Sequence, residues 1–503
     1  MSNKYTNAYG RPVRRTASGL AALAVALATG LAGAEPGGGP LPGAEPTTHV
    51  ALAPVLRELT DAALARNLEL GAAGAGVADR LAALYQARAR FWPVLDLDAR
   101  YSAAHGGRTI DVPVGDLVNP IYAALERLEP GSRYPSVANQ QIPFLRHREQ
   151  ETKLVLNQPL YDPRIAANRD YAVAELDSAN LGRDALRERV VRDMQQAYLR
   201  LLAATADVDV LDATLELARE NLKVNDSLNR NGKATRDLVY RAEADVLETE
   251  QRRLTAANAR DIGRAYVNLL RNAPLDTPVA IADVRDLDER EFLGQSEGNP
   301  MGALARLTDE ALRQRRELKE LDAASAAARA GEALARAGFR PTVGFNFESG
   351  IQGETYGVSA SDRYVLASVV MRFNLFDGGG DRASVARAHA QLSQVDFQRQ
   401  DTENRVRLEV QQALQDFVAA RASIDTARKR LEASRAAFAI SQKKRDLGAI
   451  NQAEFIDARR ALTDAALNLN RTRFQALSSL AELDYATGRA DRTLRGTRTG
   501  DSP

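Results

Sequence analysis

Hydrophobic and polar positions follow two periods along this chain, and the places where the period changes mark out its elements. Through residues 55–90, Ala, Leu, Arg and Glu recur at helical spacing. The helix stops at Phe91-Trp92-Pro93, as a proline requires. Beyond it the period becomes two. Leu95, Leu97, Ala99 and Tyr101 fall on one face, with Asp96, Asp98 and Arg100 on the other, which predicts a strand with one apolar and one polar side. A long Gly/Pro-bearing loop covers residues 105–147. Alternation then resumes with Thr152, Leu154 and Leu156 against Lys153, Val155 and Asn157. A helix over 164–229, a turn at Asn231-Gly232 and a returning helix ending before Pro274 complete the first half.

After a less regular stretch with Pro274, Pro278 and Pro300, the second half repeats the first. Residues 335–341 (Ala-Arg-Ala-Gly-Phe-Arg-Pro) echo residues 87–93 (Ala-Arg-Ala-Arg-Phe-Trp-Pro). A strand follows with Val343, Phe345 and Phe347 on one face. A shorter loop over 350–362 leads to a fourth strand at 364–375, and after Asp377-Gly378-Gly379-Gly380 comes another long helix, up to a turn at Gly448. Apolar and small residues of the two long helices keep one register. Val190, Met194, Ala197, Leu201, Ala204, Val208, Leu211, Leu215, Ala218, Leu222 and Asn225 alternate spacings of four and three. So do Val406, Val410, Ala413, Phe417, Ala420, Ile424, Ala427, Leu431, Ser434, Phe438 and Ser441. The two series lie 216 residues apart, as do Gly232 and Gly448. Two heptad seams in one register, each ending at a glycine turn, predict a duplicated coiled-coil hairpin.

Each long helix holds about 66 residues, hence roughly 100 Å of length. The four strands have lengths that suit a tilted membrane crossing, yet single-chain membrane barrels start at about eight strands. An open sheet in lipid would leave its edge groups unsatisfied. Closure therefore requires several chains, and three copies would give twelve strands, although the sequence does not count subunits.

The N-terminus assigns a compartment. A basic region ends at Arg15, an apolar run covers residues 20–31, and Ala32-Gly33-Ala34 supplies a small-x-small cleavage site. Residues 1–34 are thus expected to be a signal peptide and 35–54 a flexible lead-in. Residues 55–272 form the first repeat, 273–302 a linker, 303–488 the second repeat and 489–503 a flexible tail. Charge changes the picture little: 67 Lys+Arg face 66 Asp+Glu over the whole chain. Nothing in this balance calls for a nucleic-acid partner, which would demand a basic face. The absence of cysteine excludes disulfides, thiolate sites and an acylated N-terminal cysteine.

No catalytic constellation is visible, and no cofactor or metal site is expected. Gly232-Lys233-Ala234-Thr235 lacks both the earlier glycine and the Ser/Thr directly after Lys that a phosphate loop needs. His49, His105, His147 and His389 are scattered, and no Gly-x-Ser-x-Gly elbow occurs. Asp381 is the expected cap of the last long helix, and Trp92, Tyr101, Phe345 and Phe347 are candidate barrel-girdle aromatics.

The ordered set resembles the TolC-like outer-membrane efflux and secretion channel family over about residues 55–488. The carrying segments are Leu228-Asn229-Arg230-Asn231-Gly232-Lys233-Ala234-Thr235 with Ala242, and Arg445-Asp446-Leu447-Gly448-Ala449-Ile450 with Ala458. The junctions Asn157-Gln158-Pro159-Leu160-Tyr161-Asp162 and Asn374-Leu375-Phe376-Asp377-Gly378-Gly379 add to it. The resemblance implies a homotrimer with a mainly α fold and a membrane β part. A 12-stranded barrel would continue into a 12-helix α-barrel of coiled-coil hairpins. It would sit in outer-membrane lipid and dock a periplasmic adaptor (membrane fusion) protein and an inner-membrane transporter, giving passive exit to solutes. An exit duct for type I protein secretion is the alternative within that class, and a soluble periplasmic coiled-coil scaffold the alternative outside it. The family's acidic constriction falls on Glu454 and Asp457. In the first repeat that position is Leu238, with Asp237 one place earlier. The turns, with Asn229, Gly232, Lys233, Arg445, Gly448 and Ala449, are the expected adaptor contacts.

Overall fold

Helices 216 residues apart begin and end together in the structure, a computed structural model that describes residues 51–282 and 300–490. The expected signal peptide, residues 35–50 and residues 283–299 and 491–503 lie outside the described residues. All described residues belong to one of two units, 49–503.

The order begins with α1 (Leu52–Arg66), α2 (Leu68–Ala89) and β1 (Val94–Ala103). An insert follows, made of β2 (Thr109–Val112), α3 (Val114–Leu128) and β3 (Gln140–Pro143). Then come β4 (Arg148–Tyr161), α4 (Pro163–Arg230) and α5 (Arg236–Leu270). The second half has α6 (Pro300–Gln314), α7 (Arg316–Arg336), β5 (Thr342–Gly353), β6 (Arg363–Arg372), α8 (Gly380–Asp446) and α9 (Gln452–Ala486). Before the strands, equivalent elements are 248 residues apart, as with α1 and α6. After them the spacing is 216, as with α5 and α9. The first half carries the extra residues between its strands.

Four local expectations are corrected. The helix over 55–90 is two helices, because Asn67 leaves helical geometry (ψ 127°). Its side chain accepts the Leu70 N–H at 3.0 Å and donates to the Leu270 carbonyl at 3.1 Å, so it caps α2 while tying it to α5. The long loop contains a two-stranded sheet and a helix of 15 residues with Pro120 inside. The fourth strand ends at Arg372, because the chain must turn at Gly378 and Gly379, both at positive φ. There Asp377 accepts the Gly379 and Asp381 amides at 3.0 and 2.5 Å, so Asp377, not Asp381, holds the start of α8.

Packing follows the heptad register. Val190, Met194, Ala197, Leu201, Val208, Leu211, Leu215, Ala218 and Asn225 are buried on α4, and Val406, Val410, Ala413, Phe417, Ala420, Ile424, Ala427 and Phe438 on α8. The main core gathers Leu56, Met194, Tyr198, Val410 and Ala481, where α1, α4, α8 and α9 meet. Leu56, Met194 and Val410 each contribute about 1.5–3 kcal/mol on burial.

The four long strands form one antiparallel sheet in the order β1-β4-β5-β6. Register fixes its faces. Leu97 pairs with Leu154, Leu156 with Phe347, and Phe345 with Val369, all on one side. Asp98 pairs with Lys153 and Val155 with Glu348 on the other.

Candidate channel mouth and conduit surfaces

Both long hairpins turn the same way. At the end of α4, Gly232 has φ +70° and the Lys233 N–H donates to the Leu228 carbonyl at 2.8 Å. At the end of α8, Gly448 has φ +67° and the Ala449 N–H donates to the Lys444 carbonyl at 2.7 Å. A left-handed residue there satisfies carbonyls that the helix end leaves open, which glycine does without strain. A Cβ at either glycine would meet no atom within 4 Å, so the backbone alone demands glycine.

The returning helix α9 starts at a capped end, where Asn451 accepts the Glu454 N–H at 2.8 Å. Phe455 is buried against Phe438, ring centroids 5.6 Å apart, and the Arg445 guanidinium lies 4.5 Å from the Phe455 centroid. These contacts pin α9 to α8 at the tip. They also turn Glu454 and Asp457 outward: both are exposed, one turn apart, and neither has an ion-pair partner among the described residues. Asp237 stands on the other hairpin, exposed, 3.9 Å from Arg241. Asn229 and Arg445 are half-buried, and Lys233 and Ala449 are exposed.

Two residues beyond Asp457, α9 carries a guanidinium that sequence reasoning did not single out. Arg459 is 2% exposed, as is its ion-pair partner Asp245 of α5. Arg459 Nη1 also donates to the Thr214 carbonyl at 3.2 Å, and Arg460 lies 3.6 Å from Asp245. Arg460–Glu248 at 2.6 Å, Arg252–Asp464 at 2.8 Å and Thr214–Thr463 at 3.1 Å extend the link between the hairpins. Burial pushes the Asp245 carboxyl up, against the pull of Arg459 and Arg460, and pushes the Arg459 guanidinium down. The signal was in the register: Phe455, Ile456, Arg459 and Thr463 share one buried stripe.

At the far end of α9, Tyr485 lies beneath two guanidinium groups, Arg192 at 4.4 Å and Arg315 at 4.6 Å from its centroid. Its hydroxyl donates to Glu317 at 2.7 Å, and burial, with Glu317 beside it, pushes its pKa up to about 12. Arg315 also binds Glu409 at 2.9 Å and the Ala486 carbonyl at 3.4 Å. Arg315 is the repeat equivalent of Asn67, and Ala486 of Leu270, so each half ties its helix break to the end of its returning helix.

The sheet separates two chemistries. Leu95, Leu97, Val365, Val369 and Met371 stand exposed on the apolar side, where Tyr101 stacks on Tyr356. Trp92 is exposed just before β1, and Phe345 and Phe347 are half-buried on the same apolar side. The polar side carries a ladder: Arg100–Glu151 at 3.2 Å, Lys153–Glu151 at 3.6 Å, Lys153–Glu348 at 2.9 Å, and the Tyr364 hydroxyl on Glu151 at 2.9 Å. His105 and His147 come together at the foot of the insert, ring centroids 6.3 Å apart. Among the described residues no group of three or more potential ligands could hold a metal ion. No described helix is long and apolar enough to cross a membrane.

Long duplicated hairpins joined to a two-faced sheet are the fold shared by outer-membrane channels of known structure. The profile of the outer membrane efflux protein family matches residues 59–271 and 307–489, and the chain belongs to that family. It is a channel protein and not an enzyme. The fold is similar to the CmeC outer membrane channel of Campylobacter jejuni (TM-score 0.70, 17% identity, 87% of this chain and 86% of that one). The open state of the MtrE outer membrane channel of Neisseria gonorrhoeae gives 0.68 at 18% identity, covering 89% and 91%. The outer membrane protein VceC of Vibrio cholerae gives 0.67 at 17%, covering 86% and 96%. No functionally curated protein matches the sequence significantly.

Proposed function

We propose that this chain is the outer-membrane component of a tripartite export system. Three copies would form a 12-stranded barrel and a 12-helix periplasmic tunnel, giving passive exit to solutes driven by an inner-membrane transporter through a periplasmic adaptor. One observation carries the reading. The four-stranded sheet has an apolar face, a charged face and two unpaired edges, β1 and β6. In lipid those edges must be closed by further strands, and only other copies supply them. Membrane fractionation with light scattering in mild detergent tests it: the protein is expected in the outer membrane as a trimer. Recovery as a soluble periplasmic monomer of full helicity would remove the proposal.

The mouth belongs to the same reading. Glu454 and Asp457, turned outward by the packing of Phe455, become six carboxylates around one threefold axis. Clustered like charges in a narrow opening attract cations. The resting channel is therefore expected to be cation-selective and blocked by multivalent cations from the periplasmic side. Replacing both residues with Ala should reduce selectivity and block in single-channel recordings. Identical traces from wild type and double variant would reduce the two carboxylates to a solvated helix face. Asp237, held near Arg241, adds a first-repeat charge at the same level of its hairpin.

A further inference from the structure

The internal duplication bears on the register of a seam between copies. Resting on the trimeric reading above, we infer that β6 of one copy pairs antiparallel with β1 of the next, with Arg372 opposite and ion-paired to the partner's Asp98.

Three ladders within the chain give the derivation. In the first half Val94 pairs with Asn157 and Leu95 with Leu156; in the second, Thr342 pairs with Arg372 and Val343 with Met371. Val94 and Thr342 are equivalent, 248 residues apart, so Asn157 is equivalent to Arg372 and Leu156 to Met371. Between the halves, β4 pairs with β5, Asn157 opposite Asn346 and Leu156 opposite Phe347. Asn346 and Phe347 are in turn the equivalents of Asp98 and Ala99. A seam that repeats the internal junction therefore sets Arg372 opposite the partner's Asp98 and Met371 opposite the partner's Ala99. It also sets Val369 opposite the partner's Tyr101.

Two independent features agree with this register. Parity is preserved: Met371, Val369, Ala99 and Tyr101 all belong to the apolar face, and Arg372 and Asp98 to the polar one. A slip by one residue would mix the faces. Chemistry is preserved as well. At the internal junction Asn346 Nδ2 donates to Asn157 Oδ1 at 3.0 Å, a direct cross-strand side-chain pair on the polar face. At the seam the same two positions hold a guanidinium and a carboxylate. Both are exposed, and neither has an ion-pair partner among the described residues. One chain thus carries a cation on its β6 edge and an anion on its β1 edge, which a second copy of itself satisfies. Such a head-to-tail contact generates a ring.

The native chain has no cysteine, so introduced thiols report alone. Two double variants, Ala99→Cys/Met371→Cys and Asp98→Cys/Arg372→Cys, are oxidised with copper phenanthroline in outer membranes and run on non-reducing gels. They place adjacent direct pairs, one of which must be the closer, non-hydrogen-bonded kind. Covalent dimers and trimers are expected from one or both. Leu97→Cys/Met371→Cys and Tyr101→Cys/Met371→Cys, each two residues out of register, should link less. Stronger linking at a slipped pair, or none at the direct pairs while light scattering still finds trimers, overturns the register and leaves the trimer standing. Monomers alone would overturn both. Asp98→Arg and Arg372→Asp should each lower the temperature at which trimers dissociate in detergent, and the double exchange should recover it. Unchanged single variants, or a double variant no better than the singles, would overturn the ion pair.

Discussion

Arg459 and Asp245 show how one charged residue can be part of a core. Each is almost wholly buried, and each is tolerable only because of the other, Arg460 and the Thr214 carbonyl. Removing one partner leaves an uncompensated charge, which costs about 3–5 kcal/mol, whereas replacing both by apolar groups is often neutral. Asp245→Ala is therefore expected to expose the α4–α5 and α8–α9 hairpins to limited proteolysis, and Asp245→Leu/Arg459→Met to recover resistance. Tyr485 gives a second prediction, in pH. Its folded pKa of about 12 lies above the ordinary 10, so the proton is held more tightly when folded. That contribution is complete below pH 10 and is lost as pH rises through about 12, a gap worth on the order of 2–3 kcal/mol. Alkaline unfolding followed by circular dichroism should begin above pH 10, and Tyr485→Phe should blunt it. At this scale the sequence was only partly legible. Charged residues on a helix are read as solvated by default. Arg459 could be distinguished only by its place in the apolar register, between Ile456 and Thr463. Glu454 and Asp457 were reached by resemblance, since nothing in their own spacing separates them from other surface carboxylates.

Among the elements, the long helices were legible because a heptad register persists over many turns and ends twice at the same glycine. The insert over 109–143 was not, because Pro113, Gly115 and Pro120 look like loop residues. What holds it is specific and local. Asn119 donates to the Val137 carbonyl at 2.9 Å and accepts its N–H at 2.8 Å, while Asn139 Nδ2 donates to Asp116 at 3.0 Å. Since α4 and α8 leave the sheet at one end, the insert and the loop over 354–362 emerge at the other and are expected outside the cell. Gly131, at φ +125° in the exposed end of the insert, tests this with Ser132→Cys and a membrane-impermeant thiol reagent on intact cells. Labelling only after permeabilisation would invert the topology. The tips lie about 100 Å along the helices from the sheet. Gly448→Val forces a β-branched residue into left-handed geometry, costing roughly 1–2 kcal/mol at the turn alone. Export should fail while trimers still insert; normal export in that variant would argue against the tip as an adaptor contact.

For the molecule as a whole, the 216-residue spacing of the hairpins separates two kinds of contact by their distance along the chain. The α4–α5 hairpin turns back on itself through five residues between its helices, so its two helices can meet before the second half exists. The β4–β5 ladder joins Lys153 to Glu348, and no shorter path brings the two halves of the sheet together. Closing a loop of that size carries an entropic cost before any strand contact offsets it, and contacts distant in sequence form slowly. The order of folding follows. The hairpins can form soon after synthesis, each one locally, while the sheet must wait until both halves exist. Pulse-labelled hydrogen exchange should therefore protect α4 and α8 before β4 and β5. A chain caught between those stages would be helical, without a completed sheet, and not yet able to present its β1 and β6 edges to a second copy.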